Sequence, residues 1–265
     1  MVEATLFLGG AGLVMGVLLG VAAKKFRVEE DPRIEAVLAC LPGANCGACG
    51  FPGCSGLAMA ICEGKAPVNA CSVGGNAVAE RISEILGTTA EALEPQVAVV
   101  HCQGASEEVA AYRGIRDCEA LNMLGGSKLC PYGCLSLGSC VSACPFGAMS
   151  MGDNGLPVVD VTKCTGCGIC VKTCPRGVID LAPFNQEVDV RCHSHDRGAT
   201  VRKYCKAGCI GCALCVKSCP EKCRFMEGGT LAKIDYAACK NCGVCVAKCP
   251  VKAISRMSRK VDAAL

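Results

Sequence analysis

The sequence predicts an α+β chain in which a membrane-spanning helix precedes three cysteine-rich folding units. Three observations carry that prediction. Cysteine supplies 27 of 265 residues, about 10%, a load found in disulfide scaffolds and metal proteins. Twenty consecutive residues, Ala4 to Ala23, carry no charge. Eight cysteines recur at a constant offset of 75 residues, the mark of a duplicated structural unit.

Composition narrows the class. Disulfide scaffolds are short secreted chains without a core, whereas this chain is long enough for one or two domains and is 51% hydrophobic. Trp is absent and aromatics are 4%, so no core of large rings is expected. The formal charge of +3 excludes a globally basic nucleic-acid binder and a charged disordered tail.

The uncharged run ATLFLGGAGLVMGVLLGVAA is long enough, at about 1.5 Å per residue, to span roughly 30 Å of hydrocarbon as a helix. A signal peptide places positive charge before its apolar run. Here Glu3 precedes it and Lys24, Lys25 and Arg27 follow. Residues 1–25 are therefore read as a single-pass anchor with everything after Lys24 on the cytoplasmic side of the inner membrane. Gly12, Gly16 and Gly20 form the small-residue stripe that lets membrane helices approach closely, which suits a second membrane subunit; a glycine-rich helix with no partner is the alternative. Cytoplasmic thiols stay reduced, so the cysteines point to metal or redox chemistry.

Residues 32–90 are expected to form a small helical domain. CGACGFPGC supplies Cys46, Cys49 and Cys54, and Cys71 follows, while PRIEAVLACL and NAVAERISEIL have apolar residues at helical spacing. Glycines turn the loop tightly. One 4Fe–4S cluster fits this quartet, with zinc as the alternative. Cys40 and Cys62 are left over and are read as small buried apolar residues.

Residues 91–129 connect this domain to the repeat, with VAVVHC read as a short strand and EEVAAYRGIRDCEALNML as a helical stretch. The repeat itself divides into a module over 130–190, a linker over 191–204 and a second module over 205–257. Cys130, Cys134, Cys140, Cys144, Cys164, Cys167, Cys170 and Cys174 reappear as Cys205, Cys209, Cys215, Cys219, Cys239, Cys242, Cys245 and Cys249. CTGCGICVKTCP, CIGCALCVKSCP and CKNCGVCVAKCP follow the bacterial ferredoxin pattern C-x2-C-x2-C-x3-C-P. In that pattern three thiolates close around one cluster and the fourth ligates the other. Each unit is expected to be a compact ferredoxin-like module with two short hairpins, two short helices and two 4Fe–4S clusters. A zinc ribbon would instead use paired C-x2-C knuckles.

The crosswise rule groups Cys144 with Cys164, Cys167 and Cys170; Cys249 with Cys209, Cys212 and Cys215; and Cys219 with Cys239, Cys242 and Cys245. CLSLGSCVSACP departs from it, because Leu137 stands where the second unit has Cys212. Cys130 is the nearest spare thiol, which gives Cys130, Cys134, Cys140 and Cys174; a three-iron cluster or a non-cysteine ligand is the rival. Cys102, Cys118, Cys192 and Cys205 make a candidate sixth cluster against scattered free thiols, and Cys223 is unassigned. The expected cofactors are therefore five 4Fe–4S clusters, or six.

Two other patterns carry less. Cys205, Cys209 and Cys212 have radical-SAM spacing, but the chain has no room for the barrel such enzymes need. His193 and His195 beside Cys192 are metal-competent, yet a solvated loop explains them. No Walker loop, dinucleotide fingerprint or nucleophile constellation occurs, so nucleotide and flavin sites belong to partners. Residues 200–265 hold 13 Lys or Arg against 4 Asp or Glu, so an acidic electron donor such as soluble ferredoxin is steered to this end. Contact with anionic lipid or another subunit is the alternative.

The anchor, the CGACGFPGC domain, HCQGASEEVAAYRGIRDCEALNMLGGSKLCPYGCLSLGSC and the following CVSACPFGAM together resemble the B component of the Rnf complex over nearly the whole chain. The resemblance implies a respiratory ferredoxin:NAD oxidoreductase coupled to sodium or proton translocation. Within it, this component takes electrons from reduced ferredoxin and relays them to flavin-bearing and membrane subunits. This chain alone is then an electron carrier, and the oxidoreductase activity belongs to the complex. Two other readings stay open: a polyferredoxin serving a membrane hydrogenase or formate dehydrogenase, and a corrinoid-linked methyl-transfer protein, although no cobalamin barrel is present.

Overall fold

The computed structural model describes residues 2–26 and 31–257, the side chains of residues 2–8 excepted. Helix α1 (Val2–Lys25) ends on Lys24 and Lys25, where positive charge favours the C-terminal end of the helix dipole. Among its described side chains, Leu13, Val14, Leu18 and Leu19 are 59–70% exposed. Among the described residues no helix is long and apolar enough to cross a membrane. The spanning helix expected over 4–23 is thus not met there, and its first five side chains lie outside the described set. A Cβ added at Gly12, Gly16 or Gly20 would meet nothing within 4 Å.

The next unit is helical, as the apolar spacing predicts. Asp31 caps α2 (Pro32–Cys40) by accepting from the Arg33 N–H, and Pro32 opens the first turn, where its missing N–H costs nothing. Helices α3 (Gly53–Cys62) and α4 (Gly75–Leu86) follow, and Gly87 ends α4 in the left-handed conformation. Val37, Leu57, Ala58, Ile61 and Ile82 form the core. Cys40 is buried in it and Cys62 packs against it, as apolar residues would.

Two α+β units follow. Strand β1 (Gln96–Val100), helix α5 (Cys118–Met123), helix α6 (Ser139–Ser142), strands β2 (Met149–Met151) and β3 (Pro157–Val159), helix α7 (Ile169–Thr173) and strand β4 (Ile179–Pro183) make the first. Strand β5 (Val188–Val190), helices α8 (Gly198–Tyr204) and α9 (Leu214–Lys217), strands β6 (Arg224–Glu227) and β7 (Leu231–Ile234), helix α10 (Val244–Lys248) and strand β8 (Ile254–Arg256) make the second. In each unit the first strand pairs antiparallel with the last, β1 with β4 and β5 with β8, and the inner two form a hairpin. Small and β-branched residues fill the cores between sheet and helices.

This pairing crosses the boundaries read from the sequence. β1 lies in the expected connecting segment yet closes the first unit, and β5 lies in the expected first module yet pairs with β8. The cysteine repeat marks the binding loops but not the outer strand, which enters each unit ahead of an insertion. The expected helical stretch over 107–124 contracts to α5. Upstream of it the chain is extended: Val109 donates to the Ser127 carbonyl and Glu108 bridges Lys128.

The units are locked together through those insertions. Arg191 Nη2 donates to the Cys102 carbonyl at 3.0 Å, and Gln103 Nε2 to the Lys252 carbonyl at 2.9 Å. His101 Nδ1 lies 2.6 Å from the Val190 carbonyl. Tyr132 and Tyr204 both donate to the Asp196 carboxylate.

Candidate metal centres

The binding loops share one backbone form. In each, the residue on either side of the middle position has positive φ: Ser136 and Gly138, Gly166 and Gly168, Gly211 and Ala213, Asn241 and Gly243. Two left-handed residues curl the chain around the middle side chain, and a one-turn helix follows at once, carrying the third thiol. Glycine is required at Gly166, where a Cβ would stand 2.5 Å from the Gln96 carbonyl. At the middle position stand Leu137, Cys167, Cys212 and Cys242. Leu137 therefore keeps the loop's shape without its thiol.

Five cavities are lined by cysteines. The first unit has one lined by Cys144, Cys164, Cys167 and Cys170. The second unit has one with Cys209, Cys212, Cys215 and Cys249, and another with Cys219, Cys239, Cys242 and Cys245. The helical domain has one with Cys46, Cys49, Cys54 and Cys71. Each of these brings together a set grouped from the sequence. Gly53 shapes the helical-domain loop: its φ is +78° and an added Cβ would lie 2.9 Å from Asn45 Oδ1, the atom that accepts from the Cys54 N–H.

The remaining cavity of the first unit brings together a set that differs from the expected one. It is lined by Cys118, Cys134, Cys140 and Cys174, and Cys130 is not among its lining residues. The cause is the cap of α5. Asp117 accepts from the Ala120 N–H and from Ser139 Oγ, and Ser139 Oγ accepts from the Cys118 N–H at 2.8 Å. Those bonds hold the start of α5 beside the loop that carries Cys140. Burial, with the neighbouring thiols Cys134, Cys118 and Cys174, pushes Cys140 up to about 12.

Cys130 turns the other way. Its N–H donates to Ser106 Oγ, and Arg176 Nη1 donates to its carbonyl. Burial raises its thiol pKa, and repulsion from Cys205 and Cys102 adds to that. Burial pushes Cys192 up to about 11, with Cys209 and Cys205 as its charged neighbours. The group at the junction of the units is thus Cys102, Cys130, Cys192 and Cys205, with Cys130 in the place expected for Cys118. The group is pseudo-symmetric. Cys130 and Cys205 are one position of the repeat. Cys102 and Cys192 each come two residues after an outer strand and accept from the N–H groups of the equivalent Cys134 and Cys209.

The donor chemistry fits iron–sulfur clusters. All 27 cysteines are free thiols, and backbone N–H groups of Gly74, Ala98 and Ala253 lie 3.2–3.4 Å from Cys71, Cys164 and Cys249 Sγ. Such donors stabilise negative sulfur. Among the described residues no three His, Cys, Asp or Glu side chains converge closely enough for a single metal ion. The thiols stand around cavities instead. His193 and His195 pack edge to face at 5.2 Å, and burial lowers His193 to about 4, so it is neutral at physiological pH.

Spacing does not single out two further residues beside the Cys219 cavity. Cys223 and Arg224 both line it. Cys223 Sγ lies 3.4 Å from Cys219 Sγ; burial and that contact hold Cys223 well above the ordinary thiol range. At Cys219 burial pushes the thiol up, but hydrogen bonds from the Cys223 side chain and from the backbone N–H groups of Cys223, Glu221 and Arg224 together outweigh it and lower the thiol.

Comparison with known proteins finds iron–sulfur families along the chain, one of them running across the boundary between the two α+β units. Residues 41–73 match the family described as "Putative Fe-S cluster", residues 129–179 and 163–223 each match a 4Fe-4S dicluster domain, and residues 232–255 match a 4Fe-4S binding domain. The B component of the Na(+)-translocating ferredoxin:NAD(+) oxidoreductase complex of Acetobacterium woodii is 48% identical over 75% of this chain, and the match spans 61% of that relative. The B component of the ion-translocating oxidoreductase complex of Methanosarcina acetivorans is 46% identical over 76% of this chain and 78% of its own length. That of the proton-translocating ferredoxin:NAD(+) oxidoreductase complex of Clostridium ljungdahlii is 43% identical over 74% and 71%. With like identity over three quarters of its length to three such components, the chain belongs to the Rnf family of B components of ion-translocating oxidoreductase complexes.

Proposed function

We propose that this chain is the membrane-anchored electron carrier of a ferredoxin:NAD oxidoreductase coupled to sodium or proton translocation. It takes electrons from reduced ferredoxin and passes them to flavin-bearing and membrane subunits. The observation that carries the reading is the run of cysteine-lined sites, which is not broken between the two α+β units: Cys102, Cys130, Cys192 and Cys205 stand at their junction. Six 4Fe–4S clusters would be held, by the five cavity sets and by that junction set. When bound, each supplies one-electron chemistry at a potential set by nearby charge, N–H···S bonds and exposure.

The residues of the chain supply the rest. Thiols close each site, apolar side chains such as Leu57, Val178 and Leu231 keep water from it, and peptide N–H groups stabilise sulfur. Lys172 Nζ lies 3.4 Å from the Ala48 carbonyl, which sets the helical domain's loop against the first unit. The anchor reading rests on the uncharged run from Ala4 to Ala23, on the exposure of Leu13, Val14, Leu18 and Leu19 among the described residues, and on the lysines that end α1. It places the cluster-bearing units on the cytoplasmic side of the inner membrane.

The test is to solubilise membranes anaerobically, capture the chain by a C-terminal tag and identify what co-elutes. Flavin-bearing membrane subunits with ferredoxin:NAD activity are expected, with roughly 24 iron atoms per chain for six cubanes. Recovery with a hydrogenase, or alone without that activity, would refute the reading. Removal of residues 2–25 should move the chain out of the membrane fraction.

A further inference from the structure

Arg224 and Met149 occupy one position of the duplicated unit. Each opens an inner hairpin, pairing with Ile234 and Val159 respectively, and each is buried, 3% and 7% exposed. Each also lines the equivalent cavity. The second unit therefore buries a guanidinium where the first has a thioether. One residue earlier, Cys223 stands where the first unit has Ala148, so a thiol replaces a methyl against the same cavity.

The guanidinium is not satisfied by protein alone. Nη2 donates to Cys245 Sγ at 3.2 Å, while Nε and Nη1 are buried without a partner. Among the described residues no carboxylate forms an ion pair with it. A buried cation in that condition is strongly destabilising unless negative charge faces it. Glu221 also lines the cavity but is paired with Lys240 at 3.0 Å, so the negative groups left to face the guanidinium are cysteine thiolates and the sulfide of a cluster. Cys223 Sγ stands 3.4 Å from Cys219 Sγ, a contact to which either thiol could supply the proton; with Cys219 a cluster-ligating thiolate, Cys223 is the donor.

We propose that Arg224, aided by Cys223, is a potential-setting residue. The cluster held by Cys219, Cys239, Cys242 and Cys245 is thereby the highest in potential of the four in the two ferredoxin-like units, and the first of them to fill. A fixed cation and extra donors stabilise the more negative, reduced state over the oxidised one; no bond forms or breaks. Cys242 is exposed and Lys240 beside it is 73% exposed, so this site also faces an approaching electron donor. The inference rests on the cluster-binding reading given above.

The experiment is an anaerobic redox titration of the full chain with dithionite and mediators, followed by electron paramagnetic resonance, with iron determined on each sample. Cys242→Ser identifies the cluster, since a serine ligand alters its signal. In the wild-type chain, the first of the four signals to appear as the potential falls should be the one this variant alters. If a later signal is altered instead, the proposal is overturned. If Cys242→Ser changes neither iron nor any signal, the cluster-binding reading itself fails. Arg224→Met should lower the reduced-to-oxidised ratio of that cluster at least tenfold at a given potential, about 59 mV for one electron. Arg224→Lys should fall between, and Met149→Arg should raise a first-unit cluster. An iron-replete Arg224→Met chain that titrates like the wild type would overturn the proposal. Should Arg224→Met fail to hold iron, the wild-type order of filling still decides.

Discussion

Cys118 and Cys130 show how a ligand is chosen by residues that are not ligands. Leu137 leaves the first loop one thiol short, and the Asp117 cap with the bond from the Cys118 N–H to Ser139 Oγ brings a fourth thiol from α5 to the same cavity. Cys118→Ala should therefore cost the first unit one cluster, roughly four iron atoms, and leave the junction set intact. Cys130→Ala should do the reverse. Iron analysis with paramagnetic resonance separates the two. Because Ser136 and Gly138 keep the left-handed turns of a binding loop, Leu137→Cys should restore the cluster lost in Cys118→Ala. A partial signal for the exchange was present in the sequence: Cys130 matches Cys205 at the repeat offset, and Cys205 is not one of the expected loop ligands in the second unit. Proximity along the chain outweighed that correspondence, because Cys130 is four residues from Cys134 whereas Cys118 reaches the cavity only after the insertion folds back.

At the scale of elements, α5 is the part most exposed to a single change. It has six residues, too few to persist without its cap and its packing, and the Asp117 carboxylate makes two bonds that hold it. Asp117→Ala should cost about 1 kcal/mol and speed the loss of one cluster to a chelator, seen as a fast phase of iron release absent from the wild type. The one-turn helices α6, α7, α9 and α10 and the three-residue strands β2, β3, β5 and β8 are equally short, and their cores consist largely of cysteine, valine and alanine. Removing the iron should therefore unfold these units, because burying unbridged thiols supplies little of the binding energy that metallo-domains draw on. Loss of circular-dichroism signal on anaerobic chelation, recovered with iron and sulfide, is the expected result. Strand β1 was legible from VAVVHC. Its partner was not, since strand pairing over some 80 residues leaves no periodicity to read.

For the whole molecule, the excess of basic residues in the second unit predicts how it meets its donor. Oxidation of an acidic ferredoxin by the intact complex should slow as salt rises from 0.05 to 0.3 M, because screening lengths shorten to several ångströms over about that range. Lys217→Glu with Lys240→Glu should weaken that dependence and lower kcat/KM more than kcat; a salt-independent rate would assign the basic face to lipid or to another subunit. The duplication, the ferredoxin-like loops, four of the cysteine quartets and the family were legible in the order of residues, because thiol spacing within a loop is a local property that the backbone converts directly into geometry. Folding decided that Cys118 and not Cys130 lines the first unit's second cavity, that Cys130 faces Cys102 and Cys205 instead, and that a guanidinium stands against one cavity. Those contacts join segments separated by insertions, and it is the pairing of β1 with β4 and β5 with β8 that brings them together.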